Sequence, residues 1–245
     1  MRYARQTILP QIGTSGQAKL FKACVLIAGA GGLGSISSYY LAAAGIGNLI
    51  IVDNDTVELS NLNRQIIHCE ADLGKPKAVS AAQSLERLNS SIRIRPVKVK
   101  ITDASICHLL ENVDIIVDAC DNIQTRHVLN RASLKKKIPY IFGGVNGFDG
   151  MASTFIPGKT PCFNCLFSNK DRRETITGII GPAAGVIGSF QAMEAIKLLL
   201  DIGKNLSNRL IRVSGMDMRT TVTPLETHPA CPTCHGINSK KENSQ

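Results

Sequence analysis

The chain has no tryptophan, and aromatic residues make up only 4% of its 245 residues. Platforms on which bases could stack are scarce, so nucleic-acid binding is a minor reading. Acidic residues are also in short supply: 19 Asp and Glu face 28 Lys and Arg, a formal charge of +9. That excess points to an acidic partner such as ATP, an acidic protein or nucleic acid, without choosing among them. Charge is missing altogether from residues 23 to 52, a run long enough to suggest a membrane span. The glycine cluster and Ser35, Ser37 and Ser38 divide it into three shorter elements, so no membrane segment is expected. No secretion signal precedes Arg2 and Arg5. Eight cysteines in such a chain favour thiols or metal ligands over disulfides, and a cytoplasmic location is the expectation.

What fills the uncharged run is a strand, a glycine turn, a helix and a second strand. Val25 to Ala28 is too short for a helix and rich in branched residues, as a buried parallel strand requires. It ends in Gly29-x-Gly31-x-x-Gly34. Glycine at these places permits a tight turn, close approach of backbone N–H groups to a phosphate, and close packing of helix on strand. The helix N-terminus then faces the anion. Leu49 to Val52 form the second apolar run and close at Asp53, about 20 residues on, where a carboxylate can hold ribose hydroxyls. A triphosphate needs more cations than a bridging pyrophosphate. Arg64 and Lys77 would supply two, and Asn61 and Gln65 add amides for phosphate or ribose oxygens. Taken singly, Arg64 and Lys77 are ordinary surface cations; their position beyond the acidic tip favours the site.

With 44% hydrophobic residues the chain can bury one large α/β core. IRIRPVKVKI, residues 92 to 101, alternates apolar and basic residues like a strand with one wet face, and Pro96 suits an edge. Residues 75 to 89 have helical spacing with Pro76 in the first turn. The strand Val113 to Val117 leads into DACDN, which sets Asp118 and Asp121 at the carboxyl edge of the sheet, where open α/β sheets bind ligands. A carboxylate there can hold Mg²⁺. Alternatively, Asp121 or Asn122 caps the helix that runs to Lys137.

After the strand PYIFGGV the pattern changes to turns at NGFDG and IPGKT, with MASTFI between them as an antiparallel strand. Cys162-x-x-Cys165 and Cys231-x-x-Cys234 are two knuckles, each beside a proline. A single CxxC can be a redox site, whereas a matched pair suits a closed tetrahedral Cys₄ zinc site, with His235 as a less favoured ligand. Residues 168 to 177 are charged and predict a mobile loop. A long apolar helix is predicted from about Ala184 to Asp201, stopped by Gly203, with Met193, Ile196 and Leu200 at core spacing. Residues 209 to 222 resemble one alternating strand, and 238 to 245 a disordered tail.

RYARQ at 2 to 6, GAGGLG, DND-x₅-NLNRQ with its IIH, GKPK, DNIQTR, the two CxxC pairs and GSFQAMEAIK occur in this order. From Arg2 to Cys234 the chain thereby resembles the MoeB/ThiF/HesA family, single-domain relatives of ubiquitin-activating enzymes. The resemblance implies a Rossmann-like doubly wound sheet, parallel in its N-terminal part with antiparallel C-terminal strands, stapled by zinc. It implies one adenylation domain over residues 1–237, with a nucleotide-binding part at about 20–145 and a zinc- and carrier-binding part at about 146–237. The implied activity is adenylation of the C-terminal glycine of a small ubiquitin-like sulfur carrier ending in Gly-Gly, using ATP and Mg²⁺ and releasing pyrophosphate. Gly32 would lie against the nucleotide, Asp53 would hold the ribose, and Asn61, Arg64 and Lys77 the phosphates. Asp121 matches a magnesium-linked aspartate. Gly29, Gly31, Gly34, Asp55, Ser60, Gln65 and Asn122 complete the implied nucleotide site. Arg5 matches an arginine reaching in from a second subunit, which implies a homodimer.

One departure stands out. Many relatives carry a cysteine four residues before the glycine of G-x-x-G-P, where this chain has Glu174. Cys24, Cys69, Cys107 and Cys120 remain as thiols at positions that read as core or element ends. Adenylation without an enzyme–cysteine link at that site is expected, which favours the molybdopterin type over a thiazole-forming or other sulfur-transfer relative. An NAD-dependent oxidoreductase would share the glycine turn but leave Arg64, Lys77, Asp121 and the knuckles without a joint purpose. A non-catalytic scaffold that binds a ubiquitin-like protein is the remaining alternative.

Overall fold

Branched residues alternating along short strands decide the layering. The computed structural model describes residues 2–167 and 178–235. Its strands are β1 (Cys24–Ala28), β2 (Asn48–Val52), β3 (Arg93–Val97), β4 (Ile115–Asp118), β5 (Tyr140–Asn146), β6 (Asp149–Phe155), β7 (Arg209–Ser214) and β8 (Arg219–Pro224). The helices are α1 (Ala4–Thr7), α2 (Gly13–Lys22), α3 (Gly32–Ala44), α4 (Lys77–Leu88), α5 (Asp103–Leu109), α6 (Ile123–Lys136), α7 (Phe163–Leu166) and α8 (Gly181–Leu200). Val25, Ile27, Leu49 and Ile51 point to one face and pack with Leu41 of α3, Leu85 of α4 and Ile187 of α8. Leu26, Ile50, Val52 and Ile116 point to the other and pack with Ile106 of α5 and Leu129 of α6. Because both faces are covered, these strands read as unbroken apolar runs. Each such side chain contributes about 1.5–3 kcal/mol on burial, so the two cores outweigh any local preference.

The strands form one sheet in the order β3-β2-β1-β4-β5-β6-β7-β8. Pairing is parallel from β3 through to β5 and antiparallel from β5 to β8, as expected. Chain direction across the sheet reverses between β1 and β4, and a crevice opens there at the carboxyl ends. β3 is an edge, with Arg93, Arg95 and Pro96 exposed. β8 is the other edge, with all of its residues exposed, and among the described residues no strand pairs with its outer side.

Several readings need correction. Residues 209–222 are a hairpin, not one strand: β7 pairs with β8 from Arg209↔Pro224 to Ser214↔Arg219. α8 begins at Gly181, with Pro182 in its first turn, and its left-handed end cap is Asp201 (φ 56°), two residues before Gly203. Met193 is 54% exposed, because the face of α8 turned to the core is carried by Ala184, Ile187, Gln191 and Ala195. Asp118 ends β4 at the carboxyl edge, as expected, but it is fully buried there, so of the two aspartates Asp121 is the one open to the crevice. α8 is, among the described residues, the one helix long and apolar enough to cross a membrane, and here it packs on α3, β5 and β6. The loop at 168–177, Glu174 within it, and the tail at 238–245 lie outside the described residues.

Gly34 shows how tightly α3 sits on β1. A Cβ there would lie 2.0 Å from the Gly29 carbonyl oxygen, which no rotamer can relieve. Gly34→Ala is expected to lower the unfolding free energy by about 1–3 kcal/mol, read from a urea titration; an unmoved midpoint would mean that the turn relaxes freely.

Candidate active site

In the turn after β1, Ala30 is held at both its N–H and its carbonyl. Its N–H donates to Asp53 Oδ2 at 2.8 Å, and its carbonyl lies 3.0 Å from His68 Nε2. His68 Nδ1 lies 2.7 Å from Ser80 Oγ. Since a carbonyl can only accept, His68 carries its proton on Nε2. Burial lowers the His68 pKa and so favours this neutral form. Asp53 Oδ1 accepts the Asp55 N–H at 2.8 Å, and burial pushes its carboxyl above the ordinary range despite those two bonds. Asp53 therefore shapes the turn, and its oxygens retain lone pairs for a further donor. Gly29 takes φ +107°, with its missing Cβ 2.6 Å from the Ala119 carbonyl oxygen. α3 then starts with Gly31 as N-cap and no side-chain cap, which leaves its first N–H groups for an anion.

Beside this turn a cleft of about 490 Å³ is lined by Asn54, Asp55, Thr56, Glu58, Asn61, Arg64, Gln65, Lys77, Lys98 and Asp121. Arg64, Lys77 and Asp121 thus share one cavity, at the switch point. Lys77 enters from the first turn of α4, nearly buried, with Nζ 3.1 Å from Asp55 Oδ2. Arg64 donates only to nearby groups, Ser60 O at 2.9 Å and Asn63 Oδ1 at 3.0 Å. The Arg64 carbonyl lies 3.3 Å from where a Gly32 Cβ would be, and the Gln65 amide nitrogen 3.7 Å from the same point on Gly31. Gln65 is 5% exposed and its Oε1 has no protein partner. An orphaned acceptor and an uncapped helix at the same place fit a nucleotide.

Other expected residues stand elsewhere. Asn61 lines the cleft, but its Oδ1 already accepts the Glu58 N–H at 3.1 Å. Ser60 is outside the lining, its hydroxyl 3.4 Å from Glu58 Oε2. Asn122 is the cap of α6, accepting the Thr125 N–H at 2.8 Å. Its amide donates to Asp121 Oδ1 at 3.2 Å, so the cap and the cleft carboxylate are different residues. Arg5 is exposed on α1 and absent from the lining. Tyr3, just before α1, packs on Gly45 at the far end of α3, about 20 Å along that helix from Gly32. Lys98 was missed because residues 92–101 read as a continuous solvated strand; β3 stops at Val97. The available signal was its position one residue past the carboxyl end of a parallel strand.

A separate cluster brings Cys162, Cys165, Cys231 and Cys234 together, all sulfurs within 4.8 Å of one another. The Sγ separations are 3.9 Å for Cys162–Cys165, 3.7 Å for Cys162–Cys231 and 3.5 Å for Cys165–Cys234. A tetrahedron with metal–sulfur bonds of about 2.3 Å has edges of about 3.8 Å, so the four can hold one metal ion. Burial pushes the Cys162 thiol up to about 11. At Cys231 burial also acts upward, but hydrogen bonds from the Thr233 and Cys234 N–H groups and the Asn164 and Cys165 side chains together bring the thiol down to about 6. Ionised together, four sulfurs this close would repel one another, and a cation among them would relieve that repulsion. His235 is not part of the cluster.

Residues 3–233 match the model of the ThiF family. The chain belongs to the ThiF family. Among proteins similar to this ThiF chain is the SAMP-activating enzyme E1 of Haloferax volcanii, 41% identical over 95% of this chain and 88% of that protein. The sulfur carrier protein adenylyltransferase of Thermus thermophilus is 37% identical over 98% and 93%. The molybdopterin-synthase adenylyltransferase of Escherichia coli is 39% identical over 96% of both. The ThiF chain spans only 50% of a longer relative, the adenylyltransferase and sulfurtransferase MOCS3 of Culex quinquefasciatus. Crystal structures of E. coli MccB, one of them with ATP, superpose with a TM-score of 0.85 at 27% identity, over 96% of this chain and 74% of MccB.

Proposed function

We propose that this ThiF-family chain uses ATP and Mg²⁺ to adenylate the C-terminal glycine of a small ubiquitin-like sulfur carrier ending in Gly-Gly, releasing pyrophosphate. The observation that carries the reading is the meeting of Arg64, Lys77 and Asp121 in one cleft against the uncapped N-terminus of α3. A carboxylate oxygen of the carrier attacks the α-phosphorus as the bond from that phosphorus to its bridging oxygen breaks. The acyl-adenylate forms, pyrophosphate leaves with the electron pair, and no net proton moves. Positioning and charge neutralisation are the protein's whole contribution. Arg64 and Lys77 bear on the departing diphosphate, Asp53 and Gln65 accept from the nucleotide hydroxyls, and Asp121 holds the Mg²⁺. The metal, when bound, neutralises phosphate oxygens.

Three further parts belong to the same reading. The Cys₄ cluster holds zinc and has no coordination position left for chemistry. Together with the unpaired thiols it suits a reducing compartment such as the cytoplasm. The carrier docks near Phe148, Met216 and Met218, which are 51%, 73% and 86% exposed, in the β5–β6 and β7–β8 turns at the same sheet edge as the cleft. Arg5 serves the cleft of a second copy, because α3 separates it from its own. Glu174 replaces the usual cysteine, so activation stops at the adenylate without an enzyme thioester.

The test is ATP–pyrophosphate exchange with added Gly-Gly carrier; binding of carrier without exchange would leave only a scaffold. Mixing Arg5→Ala and Arg64→Ala chains should restore about a quarter of wild-type activity, since half of the dimers are mixed and each has one intact site. No recovery on mixing would refute the shared site.

A further inference from the structure

The cleft carboxylate Asp121 follows a residue that is pinned on every side. Cys120 N–H donates to Asp118 Oδ1 at 2.9 Å, and Cys120 Sγ–H donates to the Ala28 carbonyl at 3.3 Å. The Cys120 carbonyl accepts from Arg126 Nη2 at 2.6 Å. That same Nη2 donates to the Gly143 carbonyl of β5 at 2.9 Å. Arg126 Nε lies 3.3 Å from Asp118 Oδ2, too far off line for a hydrogen bond, and the guanidinium sits 5.0 Å over the Phe142 ring. Asp118 is fully buried. Its Oδ2 accepts from Tyr140 OH at 2.6 Å, and its carbonyl from Gln191 Nε2 at 2.5 Å.

Neutralising Asp118 alone would need one positive charge anywhere nearby. The guanidinium does more: its Nη2 joins the loop carbonyl of Cys120 to the Gly143 carbonyl of β5, while its Nε lies beside Asp118 at the end of β4. A lysine, with one ammonium on a flexible stem, could serve the charge but lacks the planar fork that holds both carbonyls while facing the carboxylate. Asp121 itself has only the amide of Asn122 beside it, so its direction is set by the peptide before it. We propose that Arg126 is a positioning residue, which fixes the Asp121 carboxylate for the divalent cation by clamping the Cys120 carbonyl. This rests on the assignment of Asp121 to Mg²⁺ above, and adds how that carboxylate is aimed.

The experiment follows binding of a non-hydrolysable ATP analogue to the full chain as Mg²⁺ is titrated. Arg126→Lys keeps the charge opposite Asp118 and is expected to raise the half-saturating Mg²⁺ concentration about tenfold, with metal-free affinity changed less than about twofold. In an Asp121→Asn background the same substitution should add no further shift, because the residue it acts through is already gone. A merely structural Arg126 would leave the Mg²⁺ response unchanged, or multiply with Asp121→Asn; either result overturns the proposal. If Arg126→Lys does not fold, the pair Asp118→Asn with Arg126→Gln removes both charges and should give the same shift. Failure of both to fold assigns Arg126 to stability alone and also overturns it. A wild-type chain whose binding ignores Mg²⁺ would instead defeat the assignment of Asp121.

Discussion

Arg64→Ala and Asp121→Ala are each expected to lower carrier-dependent ATP–pyrophosphate exchange by about 10²–10³-fold. Both side chains lie in the cleft, where the proposed reaction would build charge on the leaving diphosphate. Neither holds the fold. Arg64 bonds only Ser60 and Asn63, and the contact of Asp121 is with its neighbour Asn122. Unfolding free energies should therefore stay within about 0.5 kcal/mol of the parent. Lys77 is the instructive contrast, because its nearly buried ammonium pairs with Asp55 and Lys77→Ala would strip that partner as well. Exchange that survives both substitutions would remove the adenylation chemistry from this cleft.

Removing the metal from the cysteine cluster is expected to cost about 3–5 kcal/mol of stability and to open residues 225–235 to proteolysis. The reason is how little else holds that segment. Among the described residues the cluster packs on one buried apolar residue outside the cysteines, Leu134, and β8 just before it is exposed throughout. Leu134 stands about three turns along α6 from Asn122, so the nucleotide cleft should keep its affinity for ATP after chelation. Metal content, free-thiol titration and a melting curve on Cys162→Ser make the check. A variant that loses the metal and melts like the parent would show that the ion is dispensable.

Much of the nucleotide half was legible because the information there is local. A short branched run, a glycine turn that no other residue can make, and an acid at the next strand end are each readable from a few neighbouring residues. The β7–β8 hairpin was not, since its turn runs from Gly215 to Met218 and the left-handed position falls on Met218 (φ 51°) and not on the glycine that would announce it. α1 is only four residues long, below any useful period. The choice between Asp121 and Asn122 as cap was open in the sequence, and only the path of α6 separates them. Lys98 and the paired hold on Ala30 depend on strand ends brought together from distant positions, which spacing cannot express.

The two margins of the sheet are unlike. On the β3 side Arg93, Arg95 and Pro96 make lateral growth unfavourable, through repulsion and a missing donor. On the β8 side Thr220, Thr221, Val222 and Thr223 offer a row of backbone donors and acceptors on residues that favour strands. Among the described residues the sheet is therefore blunt at one rim and open at the other, so a further strand would find backbone partners from a single direction.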